Sequence, residues 1–150
     1  MMSVANSLCA ESGPLDCCID SGVWISAFQF GGTPLITVRS IFRYHQIAIC
    51  APILVEIHRI LTLKFGWPTS RVQGALDDYL DYAIHVTIPD ECPHVCRDAN
   101  DDMIFESAVV AGAELIVSGD RDLLAVKHYK GIRVLTPKAF LNEYSEFERT

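Results

Sequence analysis

The sequence predicts an α/β fold, a three-layer α/β/α sandwich built on a five-stranded parallel sheet. Three observations predict it. Short, nearly continuous apolar runs recur along the chain, as strands covered on both faces require. Helical patterns fill the intervals between them, the alternation that builds a parallel sheet flanked by helices. The 150 residues suffice for one domain with its own core, and no internal repeat or linker divides them.

Residues 1–14 are small and polar and end in Gly13-Pro14, so they read as a loose extension ahead of a single domain over 15–150. The run Leu15-Asp-Cys-Cys-Ile-Asp20 opens the sheet. Further strands are predicted at 47–51, 84–88, 114–118 and 132–135. Helices are expected over about 21–29, 34–44, 52–65, 69–82, 101–112, 121–127 and 137–144. Pro34, Pro52 and Pro137 suit first helical turns. Asp98 or Asn100 suits the cap of 101–112, and Gly66 suits the end of 52–65.

Half the residues are hydrophobic and 21% are charged, an ordinary globular composition. The net charge of −7 gives no general attraction for nucleic acid, which would need a local basic strip or bridging metal ions. No stretch approaches the roughly 20 apolar residues of a membrane span. The start, Met-Met-Ser-Val-Ala-Asn, lacks the basic flank of a signal peptide, so a cytoplasmic protein is expected. The six cysteines fit that compartment. Cys17, Cys18 and Cys50 fall in strands, and Cys92-Pro-His-Val-Cys96 lacks the second Cys/His pair that would close a zinc site.

Four acids stand out because each falls where an unpaired carboxylate is costly. Asp20 and Asp120 follow apolar strands at the carboxyl edge of the sheet, where α/β folds bind ligands. Glu56 falls on the stripe Ile53, Ile57, Ile60, Leu61 or its margin, and Asp101 precedes Ile104 and Phe105 by three and four residues. Asp102 is expected on another face, towards solvent or behind the site, and Asp122 as a further contributor or a capping carboxylate. Singly, each acid is an N-cap, a first-turn acid or, for Glu56, half of an ion pair with Arg59. Together, on one sheet edge, they suit a hard metal ion.

These residues resemble the PIN domain, a family of metal-dependent nucleases, and in particular a bacterial branch of toxins from toxin–antitoxin pairs. Cys18-Ile-Asp20-Ser-Gly-Val-Trp-Ile-Ser-Ala27 resembles the usual Asp-Thr-Asn-Val-Leu-Val-Ser-Ala. Ala51-Pro-Ile-Leu-Val-Glu56 is the second element. The third and most specific is Arg97-Asp-Ala-Asn-Asp101-Asp-Met-Ile-Phe-Glu-Ser-Ala108 running into Ala113-Glu-Leu-Ile-Val-Ser-Gly-Asp120-Arg-Asp122. The resemblance implies catalytic and metal-ligating roles for Asp20, Glu56, Asp101 and Asp120, with Asp122 as an added ligand. It also implies one or two Mg²⁺ or Mn²⁺ ions and hydrolysis of single-stranded RNA to a 3′-hydroxyl and a 5′-phosphate. Ser21 and Gly22 stand where the family has Thr and Asn, so the side-chain amide that orients the site is missing.

Ser118, Ser21 and Arg121 are the expected supporting or substrate contacts. Backbone phosphates are expected to meet Arg39, Arg43, Arg121, Lys127, His128 and Lys130. The alternatives are an inactive or weak PIN-like binding module and a structure-specific DNA nuclease. Receiver and haloacid-dehalogenase-like phosphoryl transfer are disfavoured, because Cys18, Ile19, Ser21 and Gly22 surround Asp20 without the second acid those sites need. Helices 21–29 and 34–44 carry Trp24, Phe28, Phe30, Leu35, Ile36 and Phe42 among other apolar residues. These predict a homodimer contact, with a cognate antitoxin as a further protein partner and no membrane association.

Overall fold

Six strands form one sheet in the order β3-β2-β1-β4-β6-β5, with β1 at Asp16–Ile19, β2 at Gln46–Cys50, β3 at Ile84–Val86, β4 at Leu115–Val117, β5 at His128–Tyr129 and β6 at Ile132–Leu135. The computed structural model describes residues 13–88 and 99–144, with the backbone alone for 99–101. Five strands are parallel as expected. The sixth, β5, is an antiparallel edge of two residues. It is too short for a period-2 pattern to reveal. Lys130 (φ 50°) and Gly131 (φ 80°) join it to β6, the two positive φ values of a tight hairpin turn.

The helices are α1 (Ser21–Phe30), α2 (Gly32–Tyr44), α3 (Ala51–Leu63), α4 (Thr69–Tyr82), α5 (Ala99–Ala111), α6 (Arg121–Val126) and α7 (Pro137–Tyr144). Contacts link α1 to α2 and α3, α3 to α4, and α2 to α7 in one layer, while α5 lies across β1, β2, β3 and β4. Gly66 ends α3 in the left-handed region (φ 72°), and the N–H groups of Gly66 and Trp67 close on the Thr62 and Leu61 carbonyls. The Arg133 guanidinium forks onto both Glu143 oxygens at 2.6 and 2.8 Å, tying α7 back to β6.

The core gathers the strand residues Cys17, Cys18, Ile49 and Ile116 with Ile57, Leu61 and Phe105 from the helices. Trp24 is fully buried, edge-on to Tyr79 at 5.3 Å between ring centroids. Val23, Val38 and Ile41 are buried with it. Much of the apolar set expected at a dimer contact is therefore internal. Phe30 (72% exposed) and Ile36 (50% exposed) remain outside.

Asp102 does not face solvent, the first of its two expected places, being only 4% exposed. A helix spread over four strands buries a broader face than one stripe, and Asp102 and Ser107 enter that face with Ile104, Phe105 and Ala108. The expected extension over 1–14 falls mainly outside the described residues, as do Cys9, Cys92, Cys96 and the Asp98 cap.

Candidate active site

The sheet order reverses beside β1. The chain moves from β1 out to β2 and β3, then returns through α5 to lay β4 against the other side of β1. Neighbouring loops depart in opposite directions there and open a crevice. Asp20 follows β1 and Asp120 comes three residues after β4, so both sit on that crevice.

Each is also the N-cap of a helix. Asp20, in extended conformation (φ −64°, ψ 149°), accepts the Ser21 N–H at 2.9 Å through Oδ1. Asp120 accepts the Asp122 N–H at 2.7 Å and caps α6. The capping role and the site role coincide, which is why cap logic alone leaves these residues looking unremarkable.

Ser118 joins them. Fully buried at the end of β4, its hydroxyl donates to Asp20 Oδ2 at 2.9 Å while its Oγ accepts the Asp120 N–H at 3.0 Å. Burial pushes the Asp20 carboxyl above its ordinary 3.8, and the charges of Asp120 and Glu56 push it further. The hydrogen bonds from Ser118 and Ser21 oppose the rise. Repulsion from the neighbouring charges of Asp120 and Glu56 is thus present, but desolvation is the larger cause.

Glu56 lies at the margin of the α3 stripe as expected, with Ile53, Ile57 and Leu61 buried beside it. Its Oε1 is held by Arg59 Nη2 at 2.5 Å, so it carries the ion pair as well as facing the crevice. Asp101 belongs to the first turn of α5, and its side chain lies outside the described residues. Met103, two residues on, lines the same hollow as Glu56. Among the described residues, no three His, Cys, Asp or Glu side chains are gathered as a group able to hold a metal ion.

Two hollows meet at Asp20. The first, of about 570 Å³, runs past Gly22, Ser26, Thr33, Asp120, Thr136 and Lys138. The second, of about 460 Å³, runs past Ser21, Pro52, Glu56, Arg59 and Met103. Neither takes in Arg121, Asp122, Lys127, His128 or Lys130. Arg39 and Arg43 line a separate groove with Phe42 and Tyr79. Among the described residues, the cations lining these hollows are instead Lys138 and Arg59. Pattern reading missed Lys138 because its place depends on β6 pairing with β4. A Cβ at Gly22 would sit 3.8 Å from Asp20 Oδ2, so the backbone leaves room for the side chain that the family pattern carries there.

The donors suit a hard cation. Asp20 spends one lone pair of each oxygen on a hydrogen bond and keeps the others, and its carboxylate is disfavoured until a positive charge offsets burial. All candidate ligands are oxygens.

Comparison with known proteins agrees with this fold. Among solved structures, a chain of the crystal structure of VapBC2 from Rickettsia felis, bound to a DNA fragment from their promoter, has a similar fold. The TM-score is 0.58 at 13% identity, covering 81% of this chain and 98% of that one. No curated protein matches the sequence. Residues 16–122, from the first strand to just beyond Asp120, match the PIN domain, and the chain belongs to that family.

Proposed function

We propose that the chain is a metal-dependent endoribonuclease, the toxin of a toxin–antitoxin pair, that hydrolyses phosphodiester bonds in single-stranded RNA. One observation carries the reading. Asp20 is seated at the topological switch point, tied to Asp120 through Ser118, with its carboxyl raised by burial and by two acidic neighbours. Asp20, Asp120, Glu56 and Asp101 are the residues that would hold Mg²⁺ or Mn²⁺, one or two ions, with Asp122 behind them. A cation held there supplies a water of lowered pKa and offsets the charge of the phosphodiester.

The chain's own groups do the rest. Ser118 sets the spacing of Asp20 and Asp120 by serving both at once. In this reading Asp120, exposed on the first hollow, takes a proton from the attacking water. Likeness to VapBC2 supports a cognate antitoxin, and the exposed Phe30 and Ile36 support pairing with a second copy. Among the described residues, no helix is long and apolar enough to cross a membrane.

The test is cleavage of a labelled panel of single-stranded RNA and DNA in Mg²⁺, Mn²⁺ or EDTA. RNA cleavage in either metal, lost in EDTA and in Asp20→Asn and Asp101→Asn, is expected. Cleavage that survives EDTA or Asp20→Asn would overturn the reading. Gly22 favours a second reading, a PIN-like module of weak or absent activity, and cleavage gained only in Gly22→Asn would select it.

A further inference from the structure

The two hollows share Asp20 as a common wall, and among the described residues each has one cation, Lys138 in the first and Arg59 in the second. A strand whose phosphate rests at Asp20 has both hollows to run along. Each hollow falls within the size range of pockets that hold small ligands. The crevice is otherwise acidic and the chain's net charge is −7, so phosphates on either side of the reacting one need local positive charge.

Arg59 is not idle. It holds Glu56 at 2.5 Å, while its side chain is 55% exposed and on the rim. A guanidinium fork suits a phosphate as well as a carboxylate, so a phosphate and Glu56 are rivals for the same group.

Resting on the nuclease reading above, we infer that Arg59 and Lys138 are the substrate-positioning cations of this site. Each holds a phosphate flanking the scissile one on a single-stranded nucleic acid, and Arg59 exchanges Glu56 for that phosphate when a divalent cation takes the Glu56 carboxylate. The exchange makes metal and strand binding support one another, because each removes the partner that would compete with the other. It also gives the Arg59–Glu56 pair a purpose beyond helix stability, to which an exposed pair three residues apart contributes little.

The test uses the full chain and a fluorescein-labelled mixed-sequence RNA oligonucleotide, with anisotropy measured in Ca²⁺ across a range of salt. Each phosphate contact on a single strand contributes about 0.7 to the slope of log affinity against log salt. Arg59→Gln and Lys138→Gln should each reduce the slope by about 0.7, and the double variant by about 1.4. Arg59→Lys should keep the slope but bind more weakly. Arg39→Gln and Arg43→Gln, outside both hollows, should leave the slope unchanged. A second arm titrates Mn²⁺ alone, where Arg59→Gln should bind several-fold more tightly because Glu56 is released.

Unchanged slopes in Arg59→Gln and Lys138→Gln, equal losses in the Arg39 and Arg43 variants, or a wild-type chain that binds no strand would overturn the inference. Unchanged or weaker Mn²⁺ binding in Arg59→Gln would overturn the exchange. A chain that binds with these slopes but does not cleave would fail the nuclease reading alone. One that cleaves with unaltered slopes would fail this inference alone.

Discussion

Asp20 has a pH signature that follows from its surroundings. Its folded-state pKa lies above the ordinary 3.8, so the folded chain disfavours the ionised carboxylate more than the unfolded chain does. That cost is absent below about 3.8, where both states are protonated, grows as pH rises from there to the folded-state value and is complete above it. Asp20→Asn should therefore raise the melting temperature in metal-free buffer at pH 7, with the advantage shrinking towards pH 4. An advantage independent of pH would sink the argument. The thiols make a second case. Burial pushes Cys18 up to about 12 and Cys17 higher still. At pH 8 about 10⁻⁴ of Cys18 is thiolate, so peptide mapping after iodoacetamide treatment should find both cysteines unlabelled until denaturant is added.

Helix ends are where the sequence was most readable and where reading it had a limit. Pro52 and Gly66 bracket α3 as expected. Asp120 caps α6, so Asp120→Ala should be about 1 kcal/mol less stable than Asp120→Asn, which keeps an acceptor while losing the charge. Calorimetry should place the two melting points about 3 °C apart, and coincident values would mean the cap carries no stability. Glu56→Gln should not show the stabilisation expected from relieved repulsion, because it also breaks the Arg59 pair. Stripe periodicity located Glu56 and the buried Ile104, Phe105 and Ala108, yet left Asp102 open between solvent and a place behind the site, and it is not at the solvent. Periodicity reports one buried direction, and α5 is buried in several.

Across the whole molecule, the apolar content divides between core and surface. Trp24, Val38 and Ile41 complete the chain's own core, while Phe30 and Ile36 stay exposed on α1 and α2 and Leu35 packs only partly. Burying two such side chains against a second copy contributes several kcal/mol at most, which suits a reversible pairing. Light scattering at micromolar concentration should give about twice the 16.7 kDa chain mass, reverting towards one chain in Phe30→Glu. A monomeric wild-type chain under those conditions would refute the pairing.

The order of the helices and of every strand but β5, the cap residues and the acids at the ends of β1 and β4 are local matters, decided by side-chain period and by Pro, Gly and Asp at particular positions, and the sequence determined them. The tertiary structure decided what depends on distant segments meeting. Pairing of β1 with β4 brings Ser118 to Asp20 across 98 residues of chain. Pairing of β4 with β6 brings Lys138 to the crevice, and the spread of α5 over four strands buries Asp102. No local periodicity encodes such meetings, because they arise from strand register and from which faces the layers cover.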